Sequence, residues 1–170
     1  MKLQVKHSKK YLAKDNNERV IQNIKADEWM FVSDNNEEIN QKSGDFGRIV
    51  LKDSKDPSRC LQPSSNFPRD GWLIDLAPVQ IGNDSQLWHF ILEDEDGFYV
   101  IENKNERRED GKNIKITQAC MDVCEAKMSD GIIVIVYHIN GGTGSGNQRW
   151  KIINTSDDIK LANFAHPPKL

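Results

Sequence analysis

The chain predicts an all-β protein, a closed barrel or sandwich assembled from three like units. Four features recur in the same order three times: a strand-like opening, an apolar pair, a polar residue two places before a tryptophan, and a turn signal after it. The tryptophans, Trp29, Trp88 and Trp150, stand 59 residues apart (88 minus 29) and then 62 (150 minus 88). The apolar runs between them are short, rich in β-branched residues and bounded by turn formers, which is the pattern of strands. One such unit alone cannot bury its apolar face, so three must close on each other.

In chain order, the openings are Lys2-Leu3-Gln4-Val5-Lys6, Arg48-Ile49-Val50-Leu51-Lys52 and Asn113-Ile114-Lys115-Ile116-Thr117. Tyr11-Leu12, Cys60-Leu61 and Cys120-Met121 follow them, and the units close on Asp27-Glu28-Trp29, Gln86-Leu87-Trp88 and Gln148-Arg149-Trp150. Behind each tryptophan comes a hairpin signal: Phe31-Val32 with Asp34-Asn35-Asn36, Phe90-Ile91-Leu92 with Asp94-Glu95-Asp96-Gly97, and Ile152-Ile153 with Ser156-Asp157-Asp158. The repeats therefore run over about 1–46, 47–110 and 111–170. Val20, Ile21 and Ile24 fall at helical spacing, but they occupy the place of the strand before a tryptophan and are expected to be extended.

The last unit is the most explicit. Gly131 precedes the apolar run Ile132-Ile133-Val134-Ile135-Val136-Tyr137, and the loop Asn140-Gly141-Gly142 follows it. Alternation puts Ile133, Ile135 and Tyr137 on one face, with Ile132, Val134 and Val136 on the other. One face can fill a core; the other leaves a ring beside a glycine-rich loop, to be covered or to bind something. By the same alternation His138 points away from Tyr137.

Composition narrows the class. A chain of 170 residues suits one well-filled domain. Hydrophobic residues at 37% against charged residues at 29% describe a globular protein, and a net charge of -3 offers no broad basic field for nucleic acid. The short Lys104, Arg107, Arg108 cluster is diluted by Glu102, Glu106, Glu109 and Asp110, as in a solvated loop. Residues 1–16 carry charges throughout and lack the apolar core of a signal peptide, and no window approaches membrane-spanning length. A protein that is cytoplasmic, or released without a signal peptide, and that does not insert into membranes is expected. Cys60, Cys120 and Cys124 are odd in number and have no histidines clustered about them, which favours reduced thiols and neither metal nor cofactor.

Three repeats that end in Gln-x-Trp and begin in Cys-Leu-Asp-like triplets resemble the ricin B-chain type lectin family over nearly the whole chain. The resemblance implies a β-trefoil of three lobes about a pseudo-threefold axis. It is fullest in the third repeat; in the first, Asp27 replaces the glutamine. The family's disulfide within each repeat is missing, since the partner position for Cys120 falls at Ile139.

The resemblance also implies a site in the third repeat. A sugar pocket needs a carboxylate to accept from two hydroxyls, a flat ring to cover the C–H face and an amide. Here Asp122 is the carboxylate, Tyr137 the ring and Asn147 the amide; Ile135 lies beside the ring, Gln148 bonds Asp122 or the sugar, and Asn140 is a further contact. Galactose or N-acetylgalactosamine is the implied ligand, carried on galactose-containing glycans or glycoconjugates. Each residue also has a structural reading: Gln148 and Trp150 belong to the core signature, and Asp122 and Asn147 are of types that cap turns. The other lobes lack the set, with Gln62, Ala77 and Ser85 at its positions in the second and Ala13 and Asn23 in the first.

Two or three hydrogen bonds and one stacked ring sum to about 4 to 5 kcal/mol, a dissociation constant of about 1 mM for a monosaccharide. Avidity would come from a homo-oligomer, a tether or a larger glycan. Catalysis is not expected, because Asp122 has no evident carboxylate partner in its repeat and no triad, phosphate loop or zinc set is present. The rival reading is a trefoil that binds protein, such as a protease inhibitor, through the insertion Pro63 to Asp70 with Asn66-Phe67-Pro68, or through the loop Gly141 to Gly146.

Overall fold

The computed structural model describes residues 1–35, 37–40, 44–52, 59–65, 70–105, 107–108, 115–116 and 119–154. The turn Ser156-Asp157-Asp158 and the whole of Asn66-Phe67-Pro68, in the insertion Pro63 to Asp70, lie outside them. The strands are β1 (Lys2–Val5), β2 (Tyr11–Lys14), β3 (Val20–Asn23), β4 (Trp29–Val32), β5 (Arg48–Leu51), β6 (Arg59–Pro63), β7 (Trp72–Pro78), β8 (Trp88–Ile91), β9 (Phe98–Asn103), β10 (Arg107–Arg108), β11 (Lys115–Ile116), β12 (Ala119–Val123), β13 (Ile132–His138) and β14 (Arg149–Ile153). No helix among the described residues is long and apolar enough to cross a membrane.

The pairing is antiparallel and cyclic. β12, β9, β14, β1, β2, β3 and β13 form a ring that the β12–β13 ladder closes, while β7, β6, β5 and β4 continue outward from β13. The strand that carries each signature tryptophan, Trp29, Trp88 or Trp150, pairs with the first strand of the next repeat: β4 with β5, β8 with β9, and β14 back to β1. That rule, applied three times, returns the chain to its starting edge, and the product is a β-trefoil.

Register makes the threefold relation exact at the level of residues. Gln4 faces Tyr11, Val50 faces Cys60 and Glu102 faces Cys120. Tyr11 in turn faces Asn23, Cys60 faces Ala77 and Cys120 faces Tyr137. The opening strand of the third repeat is therefore β9, not Asn113 to Thr117. The two described residues of that segment, Lys115 and Ile116, form a separate ladder with Arg107 and Arg108, which are thus paired rather than looped. Counting back from Cys120 lands on the wrong segment because fifteen residues, 104–118, intervene between β9 and β12, against seven, 52–58, between β5 and β6.

The surroundings of Trp29, Trp88 and Trp150 explain why the polar-x-Trp signature recurs. Trp29, Trp88 and Trp150 are fully buried in the shared core with Leu3, Leu12, Ile49, Leu61, Ile101 and Met121. Each indole Nε1 donates to the carbonyl of the residue at the same place in its own repeat: Leu12 at 3.3 Å, Leu61 at 3.0 Å and Met121 at 3.2 Å. A buried indole needs that acceptor, so the hydrogen bond ties the last strand of each lobe to its second. Gly47 is also set by packing: a Cβ there would lie 2.6 Å from the Val32 carbonyl oxygen and 2.8 Å from the Phe31 ring.

Candidate functional site

β13 sorts its side chains as its sequence alternates. Val134 and Val136 are fully buried in the barrel core, whereas Ile135 and Tyr137 lie on the opposite face. Over that face opens a depression of about 430 Å³, within the range of small-molecule sites. Asp122, Ile135, Tyr137, Asn140 and Asn147 all line it, and Gly71 with the turn Cys124–Ala126 completes the wall. Gln148, the remaining residue expected from the sequence, is fully buried behind Asp122 and does not line it.

The floor is a carboxylate held between two amides. Asp122, only 3% exposed, stands opposite Ile135 across the β12–β13 ladder. Its Oδ1 accepts from Asn147 Nδ2 and its Oδ2 from Gln148 Nε2, both at 2.8 Å. Each oxygen retains a lone pair for a further donor. Gln148 is itself fixed: Nε2 also donates to the His138 carbonyl at 2.8 Å, and Oε1 accepts from the backbone N–H of Asn140 at 2.9 Å and of Ser145 at 3.3 Å. Asn147 Nδ2 also donates to the Val123 carbonyl at 3.1 Å, so its amide hydrogens are both engaged and it orients the acid more than it reaches a ligand. Ser145, which the sequence reading did not single out, donates to Asn147 Oδ1 at 2.6 Å and accepts from Asn140 Nδ2 at 3.0 Å.

Burial dominates the electrostatics of Asp122. It pushes the carboxyl up from 3.8 to about 6, against the Gln148 and Asn147 hydrogen bonds, which favour the ionised form. Between those two values the folded chain holds the proton more tightly than the unfolded chain does. The stability this group contributes therefore falls as pH rises through that window.

The wall departs from simple alternation. The rings of Tyr137 and His138 lie 4.5 Å apart with planes inclined by 32°, so His138 does not point away from Tyr137 as expected. β13 ends at His138, where the pleat gives way, and Asp70 holds the imidazole through its Nδ1 at 2.7 Å. On the far side, Glu125 and Ala126 adopt positive φ of 54° and 49°, the left-handed region that residues with a side chain seldom occupy. Two adjacent residues held there shape the lip of the depression. Glu125 also means that Asp122 is not the lone carboxylate of its repeat. It pairs with Lys127 at 2.6 Å, which keeps its carboxyl below the usual range.

The second lobe keeps the frame and loses the acid, and the first loses both. Ala13 and Gln62 face Ile21 and Asp75 where Asp122 faces Ile135, and Asn23 and Ala77 hold the place of Tyr137, as read from the sequence. In the second lobe Gln86 Nε2 donates to Gln62 Oε1 and to the Pro78 carbonyl, each at 2.8 Å, and Gln86 Oε1 accepts from the Gln80 N–H at 2.8 Å. These are the bonds Gln148 makes in the third lobe. In the first lobe Asp27 stands in the glutamine's place and accepts from the Lys14 N–H at 2.7 Å.

No protein-family model matches the chain, and no curated protein matches it in sequence. Among solved structures it is similar to ThreeFoil, a designed threefold-symmetric protein, at 23% identity and a TM-score of 0.68, over 90% of this chain and 96% of that one. It is also similar to part of an exo-β-1,3-galactanase from Clostridium thermocellum, at 24% identity and a TM-score of 0.65 over 89% of this chain and 29% of that one. A mosquitocidal holotoxin matches at 21% identity and a TM-score of 0.62, over 90% of this chain and 16% of the toxin. The chain thus spans less than a third of either natural protein. What these likenesses share with the register described above is the fold, a β-trefoil of three pseudo-symmetric repeats.

Proposed function

We propose that the chain is a carbohydrate-binding module that takes one galactose or N-acetylgalactosamine residue of a glycan in the third lobe. The observation that carries this reading is Asp122, a nearly buried carboxylate kept available by two amides at the floor of a depression with Tyr137 on its wall. A carboxylate in that setting accepts strongly from paired hydroxyls, and a ring beside it covers the apolar C–H face of a hexose. Similarity to part of a galactanase supports a galactose-type ligand. The reading is of binding and not of catalysis: both oxygens of Asp122 are tied to amide donors and Glu125 is tied to Lys127, an arrangement that suits a fixed acceptor better than a pair of groups that must exchange protons or attack a sugar.

Wild-type protein should be retained on immobilised galactose or N-acetylgalactosamine and be released by the free sugar. Flow-through on several galactosyl and N-acetylgalactosaminyl supports would overturn the reading.

The same site has a pH signature. A ligand hydroxyl needs the ionised carboxylate, so with Asp122 titrating at about 6 the affinity should be about tenfold weaker at pH 5 than at pH 7. Titration calorimetry across that range tests this, and an affinity independent of pH counts against Asp122 as the acceptor.

A thiol reports occupancy. Cys60 and Cys120 are fully buried, whereas Cys124 is half-buried and lines the depression. Burial and the neighbouring Glu125 raise its thiol, so labelling will be slow at neutral pH. Saturating galactose should slow Cys124 alkylation at pH 8.5, whereas glucose should not; equal labelling with and without galactose would contradict occupancy.

A further inference from the structure

We propose that Asp70 and His138 form a positioning pair through which the second lobe fixes the stacking ring of the third, an inference that rests on reading the third-lobe depression as a sugar site. Asp70 precedes Gly71 and β7, elements of the second repeat. Its Oδ1 accepts from the backbone N–H of His138 at 2.7 Å, and its Oδ2 pairs with the imidazole Nδ1 at 2.7 Å. Two-point attachment sets both the main chain at the end of β13 and the plane of the imidazole. A carboxylate at Nδ1 selects the tautomer that carries hydrogen there. The neighbouring Gly71 N–H donates to the Val136 carbonyl at 2.9 Å, and Gly71 itself lines the depression. The second lobe is thus stitched to the main chain on either side of Tyr137.

The imidazole then meets the Tyr137 ring at 4.5 Å. Tyr137 is partly exposed, and a ring on an open face has several rotamers to lose when a sugar stacks on it. A flat neighbour held by a charged partner removes that freedom beforehand. By register, the place of His138 is taken by Ile24 in the first lobe and Pro78 in the second. The pair thus accompanies the acid and the ring in the one lobe that has them.

The test uses three variants of the full chain, each checked for a wild-type thermal transition. In His138→Ala, nuclear Overhauser contacts between the Tyr137 ring and Ile135, recorded without sugar, should weaken. Galactose affinity should fall roughly two- to tenfold, the range of one aromatic pair. His138→Phe, which restores a flat ring but not the bond to Asp70 Oδ2, should recover both readouts only in part, and Asp70→Asn should likewise fall between wild type and His138→Ala. An unchanged Tyr137 contact pattern in sugar-free His138→Ala overturns the pair. Should wild type bind no sugar, the functional reading fails on its own, and the ring measurement still decides the positioning.

Discussion

Asp122→Ala is expected to abolish retention on immobilised galactose while leaving the protein folded. The substitution removes the anionic acceptor at the floor of the depression. Charge-assisted hydrogen bonds contribute about 1.5–3 kcal/mol each, so losing two of them should weaken binding by at least about a hundredfold. A site of roughly millimolar affinity then falls below detection. The fold should tolerate the change because the supporting amides keep partners: Asn147 Nδ2 retains the Val123 carbonyl and Gln148 Nε2 the His138 carbonyl. Removing a charge that burial opposes offsets the one hydrogen bond that each amide loses, so the melting temperature at pH 7 should stay within a few degrees of wild type. Asp122→Asn is a less clean probe, since its amide hydrogens would confront the donors of Asn147 or Gln148. Undiminished retention by a folded Asp122→Ala protein would remove the acid from the mechanism.

The converse result is expected for Trp88→Ala, which should damage the fold and spare the site. Trp88 is fully buried, and its indole donates to the Leu61 carbonyl at 3.0 Å, within the second lobe. Truncating a buried tryptophan costs about 3–5 kcal/mol, a large part of the roughly 5–15 kcal/mol that holds a domain together. For a chain of this size, that is a fall in melting temperature on the order of 6–20 °C. Chemical denaturation measures the first quantity and calorimetry the second. Sugar affinity, measured well below the transition, should match wild type, because no group lining the third-lobe depression is altered. Together the two variants separate binding from stability.

Much of this architecture was legible in the residues because repetition amplifies weak signals. The polar-x-Trp triplets reported a buried indole with an obligatory acceptor, and three occurrences in register left little freedom about the fold. The alternation in Ile132 to Tyr137 likewise sorted core from outer face, as the burial of Val134 and Val136 shows. Sequence reasoning failed where geometry depends on contacts between distant segments. Residues 104–118 displaced the third opening, because strand-like character in Asn113 to Thr117 says nothing about its partner. Asp70 lies 68 residues from His138, so neither could be read as the other's anchor. Glu125 entered the depression through a left-handed turn that no local motif announced. For Gln148 the residue pattern left two partners open, Asp122 or a ligand, and its 2.8 Å bond to Asp122 Oδ2 sets it behind the acid.

The frame retained around Gln86 bears on valence. Because that amide is already anchored in the second lobe as Gln148 is in the third, a second receptor there needs few new atoms: an acid at Gln62, a phenol at Ala77, and an apolar residue in place of Asp75, whose charge would otherwise repel the acid. The trefoil thus carries a vacant seat beside an equipped one. If the third lobe takes a sugar as proposed, outfitting that seat would give a protein able to bridge two glycan branches and precipitate the glycoproteins that carry them.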